Sequence, residues 1–201
     1  MKMIYAVIAL LVLSLFAYSS MAKSNGQVEP LIKLGAILSN ENVEVKEDLE
    51  LYLNNPAKYL SKYEDELFER GIEEVENIPA VIVLVNALLK RKLLAYVDGS
   101  NSFNDSLKAI AKLAKGKLDA SKNFKNLLDY SNKPSKYGVG AYLDSDIGPS
   151  VFESLKSDGF NLISINEDSD AYPLVLVNSE DLNRVVNLAK DSNIRLYYAD
   201  K

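Results

Sequence analysis

Residues 159–198, GFNLISINEDSDAYPLVLVNSEDLNRVVNLAKDSNIRLYY, decide the fold of this chain. Two apolar runs, at 160–165 and 172–177, flank an acidic turn, and this is the pattern of a β-hairpin. Apolar residues at helical spacing follow over 182–189, and a last apolar run occupies 194–198. The stretch therefore predicts a strand, a turn, a second strand, a helix and a third strand.

The residues just before this stretch predict one more strand and one more helix. The run 137–143 predicts the strand, and Gly148-Pro149 opens a helical pattern that Gly159 ends. Residues 137–199 then follow the order βαββαβ, which is that of a split βαβ or ferredoxin-like unit.

The N-terminal half instead predicts helices. Residues 31–131 carry apolar residues at helical spacing in successive segments, interrupted by one short predicted strand at 93–97. Asn55-Pro56 predicts a helix start, and Gly71 predicts the left-handed residue that follows a helix. We therefore expect a single α+β domain over residues 31–201, in which a helical N-terminal half packs with a ferredoxin-like C-terminal half.

Residues 1–22 have the pattern of a secretory signal. A basic residue is followed by an apolar segment, and Ser20-Met21-Ala22 places small residues at the positions that signal peptidase recognises. We expect cleavage before Lys23, a short flexible leader over 23–30, and a secreted or periplasmic protein without a membrane contact. The alternative is an uncleaved inner-membrane anchor formed by residues 4–22, which are just long enough to span a bilayer.

The composition excludes several classes of chemistry. The 201 residues include no Cys and no His, so disulfides, thiolate or imidazole metal ligands, Ser-His-Asp triads and Cys-His pairs are impossible. The net charge of −5 and the pI of about 4.9 argue against nucleic acid as a partner, because phosphate binding needs a basic surface. The sequence contains no cofactor motif, and we expect neither a cofactor nor a metal.

Basic residues concentrate on one predicted helix, at 106–117. Lys108, Lys112 and Lys115 share its polar face, opposite an Ala-rich apolar face. Such a helix is either a membrane-surface element or a packed helix with a solvated lysine face. The second interpretation is favoured, because the apolar face is too rich in Ala to insert firmly into a membrane.

Two loops carry dense carboxylates: Asp144 and Asp146 lie on one, and Asp168 and Asp170 lie on the other. Oxygen-rich loops of this kind hold Ca²⁺ in some proteins. Counting from Asn166, however, the positions that need Gly and Glu in a twelve-residue calcium loop are both apolar. Asp and Ser side chains also bond to the backbone of turns, which explains these residues without a metal.

Two segments carry features of a known family: residues 52–98 place Arg70-Gly71 ahead of an apolar helix, and residues 158–198 place Asp168-Ser169-Asp170-Ala171-Tyr172 ahead of a strand. With these features the chain resembles a bacterial family catalogued only as a domain of unknown function (number six-six-three-zero). In that family an Asp-Trp pair usually follows the strand after the apolar helix, whereas here Asp98 is followed by Gly99. The resemblance implies a fold of helices and strands and no particular activity. It makes Asp98, Asp168, Asp170 and Tyr172 the candidate binding residues.

Two classes of function remain open. The first is a secreted, non-enzymatic binding or interaction protein, of the inhibitor or immunity type, whose acidic surface would recruit a basic protein partner. The second is a carboxylate-based hydrolase or a calcium-dependent binder that uses Asp144, Asp146, Asp168 and Asp170. The missing catalytic residue types favour the first class, so we predict no catalytic residue.

Overall fold

The computed structural model describes residues 29–133, 137–143 and 148–199. The predicted signal and most of the predicted leader lie outside the described residues, as do Asp144 and Asp146. Within the described ranges, no helix combines the length and the apolar character needed to cross a membrane.

The chain forms a helical first part and then four strands with helices between them. The helices before the first strand are α1 at residues 29–39, α2 at Val43–Asn54, α3 at Pro56–Lys62, α4 at Glu64–Phe68 and α5 at Ala80–Lys90, with a 3₁₀ turn at Val75–Asn77. The next elements are β1 at Ala95–Asp98, α6 at Phe103–Leu113, α7 at Lys122–Ser131, α8 at Gly140–Leu143 and α9 at Val151–Ser157. The last elements are β2 at Phe160–Ile165, β3 at Ala171–Asn178, α10 at Leu182–Asp191 and β4 at Leu196–Tyr198.

Two predicted helix boundaries are confirmed. The Asn55 side chain accepts a hydrogen bond from the backbone N–H of Lys58 at 3.0 Å, and Pro56 is the first residue of α3. After α4, Gly71 has a φ of +72°, and the following N–H reaches back to the carbonyl of Leu67 at 2.9 Å. Local sequence predicts such ends well, because the caps satisfy backbone groups that a helix terminus leaves unpaired.

The four strands form one antiparallel sheet in the order β1-β3-β2-β4. β2 and β3 form the predicted hairpin, with Leu162 opposite Leu176. β4 pairs with the other side of β2, where Tyr197 lies opposite Ser164, and β1 pairs with the far side of β3. A strand from the N-terminal half therefore completes the sheet of the C-terminal stretch.

Helices cover both faces of the sheet. Ile163 and Val175 join the core that α1–α5 and α10 form on one face, which we call the first core. Leu162 and Leu174 join the core that α6–α9 form on the opposite face, which we call the second core. Because both faces are covered, five of the six residues of β2 are buried, and burial does not alternate along the strand. The prediction of an α+β fold is confirmed.

The predicted strand at 137–143 is wrong, because Gly140–Leu143 form helix α8. Two close contacts shape this segment. A Cβ on Gly138 would strike the backbone carbonyl of Gly99, and a Cβ on Gly140 would strike the ring and hydroxyl of Tyr172. The fourth strand of the sheet is β1, and the ferredoxin-like arrangement is not confirmed.

Candidate functional site

One end of the sheet brings the predicted binding residues together. β1 and β2 end there and β3 and β4 begin there, because neighbouring strands are antiparallel. Asp98 closes β1, Asp168 and Asp170 lie in the turn between β2 and β3, and Tyr172 is the second residue of β3. The backbone N–H of Gly99 donates to the carbonyl of Asp170 at 3.1 Å, which holds the turn against the end of β1.

Two of these carboxylates are engaged by neighbouring residues. Asp168 forms an ion pair with Arg195, and both side chains are exposed. Asp98 accepts hydrogen bonds from the hydroxyl and the backbone N–H of Ser100, the latter at 2.8 Å. These bonds hold the pKa of Asp98 below its ordinary value. Asp98 is therefore an ionised hydrogen-bond acceptor at neutral pH and is poorly suited to act as a proton donor.

Glu167, which was not among the predicted binding residues, is the carboxylate that fixes the turn. Its side chain is 1% exposed and accepts a hydrogen bond from Arg70 Nη1 at 2.9 Å. The hydroxyls of Tyr96 and Ser169 also donate to it. Burial, reinforced by the hydrogen bond to Glu167 and by the Glu167 charge, raises the pKa of Tyr96. Arg70 lies in residues 52–98 and the turn lies in residues 158–198, so this network connects the two segments that carry the family resemblance.

The described carboxylates do not gather into a metal centre. Among residues 29–133, 137–143 and 148–199, no group of three or more carboxylates is placed to hold a metal ion. Asp144 and Asp146 lie outside those ranges. In the described part, the acidic-loop hypothesis is therefore left with Asp168, which pairs with Arg195, and with Asp170, which is exposed.

Behind the turn, on the side of the second core, lies a cavity of about 640 Å³, which we call the sheet-end cavity. Its wall includes Leu143 of α8, Phe152 of α9, Ser164 of β2, Tyr172 of β3 and Tyr197 of β4. None of the described residues that line it is charged, although a quarter of the chain is. Of the four predicted binding residues, Tyr172 alone lines this cavity.

Two tyrosines give the sheet-end cavity its aromatic sides. The ring and hydroxyl of Tyr172 lie so close to Gly140 that no Cβ would fit there. Tyr197 is more than half exposed, and its hydroxyl accepts a hydrogen bond from Asn166 Nδ2 at 3.3 Å. The Tyr172 ring is therefore packed against the protein, while the Tyr197 ring is open to solvent.

Ser164 is the buried polar residue of the sheet-end cavity. It is 3% exposed, yet its side chain forms no hydrogen bond with another described residue. On the sheet it lies between Leu174 and Tyr197 of the two neighbouring strands. Its hydroxyl is not among the fully buried, unpartnered side-chain atoms of the described residues, so it is open to the space of the cavity. The sequence signal was a serine inside an apolar strand, but nothing in that strand indicated a cavity beside it.

Comparison with known proteins identifies the chain at the level of its family. No curated protein and no solved structure gives a match. Residues 30–199 match the family described as Domain of unknown function (DUF6630). The match extends over both segments on which the resemblance was based. The chain therefore belongs to the DUF6630 family.

Proposed function

We propose that this protein is a non-enzymatic binding protein that holds a small uncharged ligand in the sheet-end cavity. The observation that carries the proposal is Ser164, a largely buried residue whose hydroxyl is open to this cavity and has no hydrogen-bond partner among the described residues. A ligand hydroxyl or carbonyl that enters the cavity would form a hydrogen bond with this hydroxyl. The cavity volume lies within the range of small-molecule sites, about 300–1,000 Å³.

The chemistry of the wall supports a neutral ligand with a flat apolar side. Tyr172, Tyr197 and Phe152 offer aromatic surface, and Ser164 offers a hydroxyl that both donates and accepts. A charged ligand would find no counter-charge among the described lining residues. Saccharides combine hydroxyl groups with an apolar ring face, and they are the ligand class that we propose.

The state of the described candidate carboxylates supports binding over hydrolysis. Hydrolysis by two carboxyl groups needs one that keeps its proton near neutral pH, which requires a raised pKa. The pKa of Asp98 is instead lowered, and Asp168 is paired with Arg195. A basic protein partner, an inhibitor or immunity role, and secretion through residues 1–22 remain predictions from the sequence.

Replacing Ser164 by alanine tests the proposal. The stability of the variant should change by less than about 1 kcal/mol, because the substitution breaks no hydrogen bond with a described residue. It should also bind the tightest uncharged saccharide of a screened panel roughly tenfold more weakly. Thermal unfolding and calorimetric titration measure the two effects.

Ser192→Ala is the matched control. Ser192 is 6% exposed, its hydroxyl is also unpartnered, and it is not among the residues that line the sheet-end cavity. Its replacement should leave saccharide affinity unchanged. Equal affinities in Ser164→Ala and Ser192→Ala, or no saccharide bound by the wild-type protein, would contradict the proposal.

A further inference from the structure

A second cavity, of about 290 Å³, lies at the opposite end of the sheet. Helices α1, α5 and α6 end around it, β2 begins there and β3 ends there. Lys92, Lys115 and Lys117 line it, and we call it the lysine cavity. It lies at the other end of the strands from Asp98 and the acidic turn, so it is separate from the sheet-end cavity.

The three lysines of this cavity have no carboxylate partner in the described part of the chain. All three are exposed, and none forms an ion pair with a described Asp or Glu side chain. Asp181 is the single acidic residue among the described lining residues. Three lysines against one aspartate make this surface positive, in a protein whose net charge is −5. Such a surface attracts an anion.

The backbone at this cavity holds three side chains in a conformation that glycine adopts more easily. Asn40, Lys92 and Lys115 have φ values of +54°, +56° and +48°. Each follows a helix, at the position where this chain elsewhere uses Gly71 and Gly159. A side chain at positive φ is strained, and such strain concentrates at functional sites. Asparagine tolerates this conformation, so the strain lies at Lys92 and Lys115, and both line this cavity.

Helix capping by itself does not require lysine at these positions. Lysine near a helix C-terminus is favourable for the helix dipole. The last carbonyls, however, already have backbone partners: the N–H of Glu41 donates to the Ala36 carbonyl at 2.7 Å, and the N–H of Leu93 donates to the Leu88 carbonyl at 3.0 Å. The Lys92 ammonium group is therefore not needed to cap α5.

We propose that the lysine cavity binds the phosphate group of a small organic phosphate monoester. Lysine acts as a point charge that suits phosphate, and a monoester carries between about 1.5 and 2 negative charges at neutral pH. Phe160, Leu176 and Leu113 supply an apolar surface in the same cavity. The lysines hold the phosphate, and these apolar side chains hold the organic part. The amide groups of Asn40 and Asn178 are further hydrogen-bonding groups on the wall.

Calorimetric titration with phenyl phosphate tests this site. The wild-type protein should bind one equivalent, and raised salt should weaken the binding because the interaction is electrostatic. Phenol should not bind, since it lacks the phosphate, and inorganic phosphate should bind more weakly, since it lacks the ring. No binding of phenyl phosphate, or equal binding of phenol, would overturn the proposal, as would equal binding of inorganic phosphate.

Substitutions of the lysines locate the site. Lys92→Gly and Lys115→Gly should each lose roughly tenfold in affinity, while the unfolding midpoint stays constant or rises, because glycine suits a positive φ. Lys92→Gln removes the charge without changing the backbone preference and should lose affinity equally. Lys112→Gln, in the last turn of α6 and three residues before Lys115 but not lining the cavity, is the matched control and should bind like wild type. Unchanged affinity in all three cavity variants would overturn the proposal.

Discussion

Replacing Asp48 by alanine is expected to lower the free energy of unfolding by about 3 kcal/mol, the lower end of the range for breaking a buried ion pair. The Asp48 side chain is 2% exposed on α2 and pairs with Lys62 Nζ at 2.9 Å and with Arg91 Nη1 at 2.5 Å. It also accepts a hydrogen bond from the buried hydroxyl of Tyr63. Without Asp48, the largely buried Arg91 keeps its charge, and the exposed Glu44 is the one described carboxylate that still pairs with it. An uncompensated buried charge is the costly part of such a substitution.

The matched control is Glu50→Ala, on the same helix. Glu50 pairs with Lys46 at 3.7 Å, and both side chains are well exposed. An exposed pair of this kind contributes little, so the change should stay within about 0.5 kcal/mol. Urea unfolding measures both variants. Similar small losses in the two would show that the Asp48 network does not stabilise the first core.

The contribution of Asp48 depends on pH in a defined direction. Burial by itself raises the pKa of its carboxyl group, but the hydrogen bonds from Tyr63 and Lys62 and the charge of Arg91 outweigh burial and hold the pKa below its ordinary value. The stabilisation is therefore complete above the unfolded-state pKa, near 3.8, and is lost as the pH falls through the folded-state pKa. The gap between wild type and Asp48→Ala should shrink over that acidic range.

Replacing Glu167 by alanine is expected to cost about 2–3 kcal/mol of unfolding free energy. The substitution removes the acceptor of Arg70 and of the Tyr96 and Ser169 hydroxyls, which together fix the turn between β2 and β3. Arg70 and Tyr96 keep some contact with water, so the loss is smaller than that for Asp48. Urea unfolding again measures the effect.

Asp168→Asn is the control for Glu167→Ala, because it changes the next residue of the same turn. Asparagine tolerates the φ of +58° at this position, and the substitution removes only the exposed ion pair with Arg195. Its effect should remain within about 0.5 kcal/mol. A loss for Asp168→Asn as large as that for Glu167→Ala would mean that turn conformation, and not the buried contact with Arg70, stabilises this region.

The parts of the fold that the sequence predicted are those with local signals. The hairpin of β2 and β3 follows from two apolar runs on either side of an acidic turn, and Asn55 and Gly71 define helix ends by capping. The sheet order could not be predicted, because β1 joins β3 across more than 70 residues of chain. The predicted strand at 137–143 failed because contacts with Gly99 and Tyr172 determine that segment.

The candidate site was predicted only in part, because its residues come together through contacts between distant parts of the chain. Asp98, Asp168, Asp170 and Tyr172 do meet at one end of the sheet, but Tyr172 alone reaches the cavity. The importance of Ser164 depends on an empty space and on missing partners, and neither is a property of the chain near it.

The ion-pair partner of Glu167 is also distant in sequence. In the sequence, Glu167 is one carboxylate of an acidic loop, and Arg70, its partner, lies 97 residues away.

The lysine cavity could not be predicted from the sequence either. The sequence places Lys115 on a solvated helix face, because the convergence of three helix ends on one cavity appears only in three dimensions. Lys92 follows the apolar helix α5, where a lysine is favourable for the helix dipole, so its position in the sequence does not indicate a ligand site.

The most direct test of the sheet-end cavity as a ligand site is a titration of the ¹⁵N-labelled full chain with uncharged saccharides, followed by amide chemical shifts. We predict saturable shifts at Ser164, Tyr172 and Tyr197, with no response at Lys92 or Lys115 at the opposite end of the sheet. In the Ser164→Ala variant, the same shifts should need roughly tenfold higher saccharide concentrations to reach saturation. No saturable shift at Ser164, Tyr172 and Tyr197, or shifts confined to other residues, would contradict the account.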